Sequence, residues 1–135
     1  MKQEDKELLL QDLSARLPYY IKIQLPEYSD LTGEKIPSKI KILDYCILGK
    51  VQAYCKGFRK DEIKPYLFPL SSMTEEQNKE LYDKLIELEL QALNGEINRI
   101  DAVKFEIDYY LENHIDYRGL IEKGLAIDAS NLNVY

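Results

Sequence analysis

"IKPYLFPLSSMTEEQNKEL", Ile63 to Leu81, carries the change of structural character on which the fold turns. Pro65 and Pro69 fix their own φ and bias the residues before them toward extended backbone. Leu67, Phe68 and Leu70 are therefore expected to pack across a sheet. Thr74 and Gln77 then form a capping box, in which the threonine oxygen accepts from the third helical N–H and the glutamine reaches back. Glu75 and Glu76 lie in the first turn, where the helix dipole favours them, and Ser72 with Glu75 offers a second register of the same box. A nucleophilic serine or an anion-binding helix start would need other neighbours. The only histidine, His114, lies at the far end of another helix, and two glutamates repel phosphate. The stretch reads as the seam between a β-containing front and a helical back.

Upstream, "DKELLLQDLSARLP" predicts a short amphipathic helix. Leu9, Leu10, Leu13 and Leu17 form one face, with Glu7, Gln11, Asp12 and Arg16 on the other, and Pro18 ends it. "YYIKIQLP" alternates, so Ile21, Ile23 and Leu25 share one face of a strand. "EYSDLTGEKIPS" is a polar loop. "KIKILDYCIL" predicts a second strand with a slip at Leu43, and a tight connection at Leu48-Gly49-Lys50 leads to a third, "VQAYCKGF". Short antiparallel strands in this density suggest a small sheet, with an SH3-like barrel as one form of it.

Downstream, Leu81, Leu85, Leu88 and Ala92 make a helical stripe flanked by Tyr82, Ile86 and Leu93, and Asn94-Gly95 stops it. Ile100, Val103, Ile107, Tyr110 and His114, spaced 3, 4, 3 and 4, predict a second helix with these residues along one stripe. A shorter helix is expected from Asp116, its cap, to Gly124, its end. The tail from Ala126 shows no pattern. The expected fold class is α+β: one domain over residues 1–135, with a helix-plus-sheet subregion (1–70) and a helical one (71–135).

Charge follows the same seam. Residues 1–70 hold 12 basic and 10 acidic side chains, whereas residues 71–135 hold 6 and 14. An acidic back half repels phosphate, so any nucleic-acid contact belongs to the front. Between Lys35 and Lys64 lie eight basic residues and three acids. Lys39, Lys41, Lys56, Arg59 and Lys60, interleaved with Tyr54 and Phe58, are the candidate contacts to a single strand, because cationic grooves with stacking aromatics bind one. Lysines on exposed strands also guard sheet edges.

Nucleotide-binding, zincin, C-x-x-C and serine-hydrolase motifs are all lacking. One His and two Cys, Cys46 and Cys55, point to neither a metal site nor a disulfide framework. Asp116, Tyr117 and Arg118 cluster just after His114, and an enzymatic reading requires a cleft joining His114, Tyr117 and Arg118. The plainer reading of Asp116 is a cap plus an internal salt bridge, and of His114 a packed helix-end residue. No catalytic, cofactor-binding or metal-binding residues are expected. The opening "MKQEDKELLL" is charged, and no apolar run approaches membrane length, so a cytoplasmic protein without membrane contact is expected.

Three blocks in order, "ELLLQDLSARLPY" (7–19), "IKPYLFPLSSMTEEQ" (63–77) and "LENHIDYRGLIEKGLAIDA" (111–129), resemble a family of small proteins of unknown function. That family is associated with Bacteroides-type gut bacteria and the phages and mobile elements they carry. The resemblance covers about a third of the chain, departs most over residues 20–62, and brings no functional residues with it. It implies a bacterial or phage cytoplasmic origin. The expected function is a non-enzymatic accessory or interaction protein of a phage or mobile element. Its partner would be another protein or a second copy of itself, met through the Tyr- and Lys-rich sheet or the apolar stripe of the helix from Glu75 to Leu93. The alternative is a small nucleic-acid-binding module built on the basic β region.

Overall fold

The computed structural model describes residues 2–28, 35–49 and 63–135. Helix α1 (Gln3–Arg16) runs into a 3-10 turn (Leu17–Tyr19) that contains Pro18. Strands β1 (Lys22–Tyr28) and β2 (Lys35–Ile42) pair antiparallel, and β1 also pairs antiparallel with β3 (Lys64–Pro69). Helices α2 (Glu75–Leu93) and α3 (Arg99–Glu112) follow as an antiparallel hairpin, and two-residue strands β4 (Ile115–Asp116) and β5 (Ile127–Asp128) each pair parallel with β3. The class is α+β. The sheet, ordered β2-β1-β3-β4 with β5 also on β3, is mixed and open rather than a closed SH3-like barrel. Pro65 and Pro69 cannot donate to a ladder, and β3 correspondingly meets β1 through only Ile23↔Pro65 and Gln24↔Lys64.

The seam divides two hydrophobic clusters. Successive β3 residues point to opposite faces, so Leu67 enters one cluster and Phe68 the other. The first gathers Leu9 and Leu13 of α1, Ile21, Ile23 and Leu25 around β1, and Leu120, Leu125 and Ala126 from the tail. The second holds Met73, Leu81, Tyr109 and Ile115, with Phe68, Leu85 and Phe105 packed against it. Leu70 does not join either as expected: it opens a 3-10 turn and stands exposed. The cap at Thr74 is as the sequence implies, with Gln77 N–H donating to the Thr74 oxygen at 3.1 Å and Thr74 N–H to the Gln77 side chain at 3.0 Å.

Three expectations are corrected, and one lies outside the described residues. Asp12 and Arg16, expected on the solvent side of α1, are both fully buried: Arg16 donates to Asp12 Oδ2 and to Ile115 O, while Asp12 Oδ1 and Arg16 Nη1 have no hydrogen-bond partner. The second strand stops at Ile42, since the Asp44 carboxylate accepts the Ile47 N–H at 2.7 Å and turns residues 45–49 into helix; the hairpin at Leu48-Gly49 is therefore replaced. The third strand (51–58) lies outside the described residues, as does Cys55, while Cys46 is exposed and unbridged. The helix from Asp116 to Gly124 is a series of turns: Asp116 does accept from Leu120 and Ile121 N–H, both at 2.8 Å, but Gly119 at φ +75° breaks helical propagation. On α3, Ile100, Val103 and Ile107 of the expected stripe are exposed, whereas Tyr110 of the same stripe, with Phe105 and Tyr109, packs in the second cluster.

Candidate interaction surface

His114 takes the position after α3 that glycine usually fills, with φ at +57°. Its N–H donates to Leu111 O, and its carbonyl accepts the Phe68 N–H at 2.8 Å, which seats α3 on β3. The ring stacks on Tyr135 with centroids 4.1 Å apart. Burial, with Arg16 and Lys22 adding repulsion, lowers its pKa to about 4, so the imidazole is neutral near pH 7. It opens on a cleft of about 430 Å³ that Phe68, Gln77, Glu112 and Asn113 also line. Neither Tyr117 nor Arg118 lines that cleft. Tyr117 stacks on Tyr110, and Arg118 Nε donates to the Tyr117 hydroxyl at 3.0 Å while lying 3.6 Å from Asp12 Oδ1. Three polar side chains at the cleft are engaged: Ser72 donates to Pro69 O, Gln77 Oε1 accepts from Thr74, and Ser130 donates to Asp128, whereas the buried His114 Nδ1 has no hydrogen-bond partner. Among the described residues no nucleophile–base pair forms there, and no group of three His, Cys, Asp or Glu converges as a metal site.

Of the basic candidates, Lys39 and Lys41 stand on β2, and Lys56, Arg59, Lys60, Tyr54 and Phe58 lie outside the described residues. Register pairs Lys41 with Ile23 and Lys39 with Leu25, so both lysines project on the face of β1 that carries the buried Ile23 and Leu25. Ile40 and Ile42 take the opposite, exposed face. Lysine tolerates such a position because its stem packs while its amine reaches water. The structure thus brings two of the seven together.

The helical hairpin presents an exposed apolar surface. Leu81 at its base is buried, but toward the tip α2 leaves Tyr82 at 66%, Leu90 at 57% and Leu93 at 65% exposed, with Ile86 also exposed. On α3, Ile100 is 61% and Val103 55% exposed, and Ile107 is exposed as well. Each helix carries two apolar arcs, one facing the other helix and one facing out. A globular helix ordinarily shows one apolar stripe and a polar remainder, and each of these helices exposes a second apolar arc. A groove of about 250 Å³ between the helices is lined by Leu85, Glu89, Arg99, Ala102, Val103 and Glu106, with Val103 as the exposed-arc residue on its wall. The sequence displays both arcs. Periodicity alone does not say which arc of α3 faces inward, and two long helices cannot bury four arcs between them.

No helix among the described residues is long and apolar enough to cross a membrane. No protein-family model, curated protein or solved structure matches the chain.

Proposed function

We propose that this chain is a non-enzymatic accessory protein that works by binding another protein through the outer face of the α2–α3 hairpin. The supporting observation is the seven large apolar side chains left exposed on two neighbouring helices, a density that costs solubility unless a partner covers it. At the cleft beside His114, the Ser72, Gln77 and Ser130 side chains bond to Pro69, Thr74 and Asp128 and none of these bonds is to His114, so no activated nucleophile stands there. A cytoplasmic phage or mobile-element setting rests on the resemblance of the three sequence blocks alone.

The test is the double substitution Leu90→Glu/Val103→Glu. Both side chains are more than half exposed, so stability by urea unfolding is expected to change by no more than about 0.5 kcal/mol per site. In a nuclease-treated pull-down from the host, a protein held by the unsubstituted chain is expected to be lost from the variant. Equal capture by both, or capture that disappears with nuclease, rejects this surface.

A further inference from the structure

We infer that the hairpin groove receives a basic amphipathic helix from the partner protein. The inference rests on the interaction reading above and names the chemistry of what binds there.

Geometry argues for a helix. Successive residues turn about 100° around a helix axis, so Tyr82, Ile86 and Leu90, spaced by four, form a single ridge on α2. Such ridges pack into the grooves of another helix. Val103 both lines the inter-helix groove and stays more than half exposed, which ties the α3 arc to the groove, and Glu89 of α2, next to Leu90, lines the same groove. From Tyr82 to Leu93 the row extends about 16 Å, the length of three helical turns. A two-helix hairpin with an outer arc on each member lacks the further helix that would give it a bundle core.

Charge argues for a basic helix. Residues 75–112 carry 11 acidic side chains and 4 basic ones. Glu89 and Glu106 line the groove itself, against the single cation Arg99, and Asp83 and Glu87 flank the α2 ridge. A second copy would bring the same acidic surface against this one, and like charges across an interface oppose association. Nucleic acid and anionic lipid are repelled for the same reason. A helix with leucine-like residues on one side and Lys or Arg at its margins fills the groove and neutralises the rim.

A displayed library of four-turn helices, with a fixed leucine stripe and randomised polar positions, tests this on the full chain. Counter-selection uses the Leu90→Glu/Val103→Glu variant, after urea unfolding shows that it is folded. The expected result is enrichment of Lys and Arg in the polar positions. A synthesised winner should bind the unsubstituted chain about tenfold or more tighter than the variant, as for loss of anchor residues, and should weaken as salt rises. A second variant, Glu89→Lys, is expected to shift the selected helices away from basic faces, which a merely structural role for Glu89 would not do. Enrichment of neutral or acidic faces overturns the inference while leaving the interaction surface standing. So does sedimentation showing a dimer of the chain that the double variant abolishes. No enrichment over the variant overturns the inference; together with equal host-protein capture by both forms, it removes the interaction reading too.

Discussion

Arg16 has no exposed surface, yet three of its contacts are polar or aromatic: Nε donates to Asp12 Oδ2 at 2.7 Å, Nη2 donates to Ile115 O at 2.7 Å, and the guanidinium lies 5.7 Å from the Tyr117 ring centroid. Burial pushes the Asp12 carboxyl above its usual value, and Arg16, then Arg118, pull it back. Removing one member of such a pair strands the other. Arg16→Met is expected to cost about 3–5 kcal/mol in urea unfolding, and the double change Asp12→Leu/Arg16→Met distinctly less; equal losses would show that the pair is not the source. The sequence conceals this, because a charged i, i+4 pair looks the same on a solvated face and on a buried one. His114 gives a second test. Its proton leaves near pH 4 in the folded chain but near 6.5 when unfolded. Between those values the unfolded state holds more protons, so stability falls as pH drops through that window and levels off below it. His114→Asn removes the titration, while asparagine still accepts positive φ. The urea midpoint of the variant should therefore vary less from pH 6.5 to 4 than that of the unsubstituted chain.

At the scale of elements, helix ends were legible and partners were not. Thr74 with Gln77, and Asn94 before Gly95, mark both ends of α2 by local chemistry that needs no tertiary context. The two arcs of α3 have the same period, and only the position of α2 decides between them. β4 and β5 are two residues long, too short to show alternation. Even less visible is the closure of the β1–β3 ladder. Its pairing ends at Ile23↔Pro65, and at the next position the Tyr135 hydroxyl intervenes, accepting the Lys22 N–H at 3.0 Å and donating to Tyr66 O at 2.8 Å. The Lys22 amine also donates to Val134 O and lies over the Tyr135 ring. Burial raises the Tyr135 pKa to about 12, which keeps that hydroxyl a donor at ordinary pH. Tyr135→Phe leaves both strand groups unpaired and is expected to cost about 1–3 kcal/mol, with faster hydrogen exchange at the Lys22 amide as the specific sign.

For the whole molecule, β3 is the shared wall. Leu67 and Phe68 are adjacent in sequence but belong to different clusters, and Arg16 of α1 holds the backbone of β4 on the far side. The α+β class followed from the contrast of extended and helical patterns on either side of Ser71. The open sheet did not, because its closure depends on residues far apart in sequence. The coupling through β3 has a measurable form. Leu67→Ala is expected to cost about 2–5 kcal/mol and to speed exchange at the Leu81 amide, in the other cluster, by the same free energy as in its own. Protection at Leu81 unchanged by the substitution would show that the clusters open separately.

The Tyr135 bridge also bears on how the chain reaches this state. Lys22 and Tyr135 are 113 positions apart, and closing so long a span is entropically costly and slow. During synthesis β1 is translated early, and Tyr135 follows 113 positions after Lys22, beyond both long helices. Until Tyr135 emerges the nascent sheet lacks that clasp, so a strand made early waits for a side chain made much later.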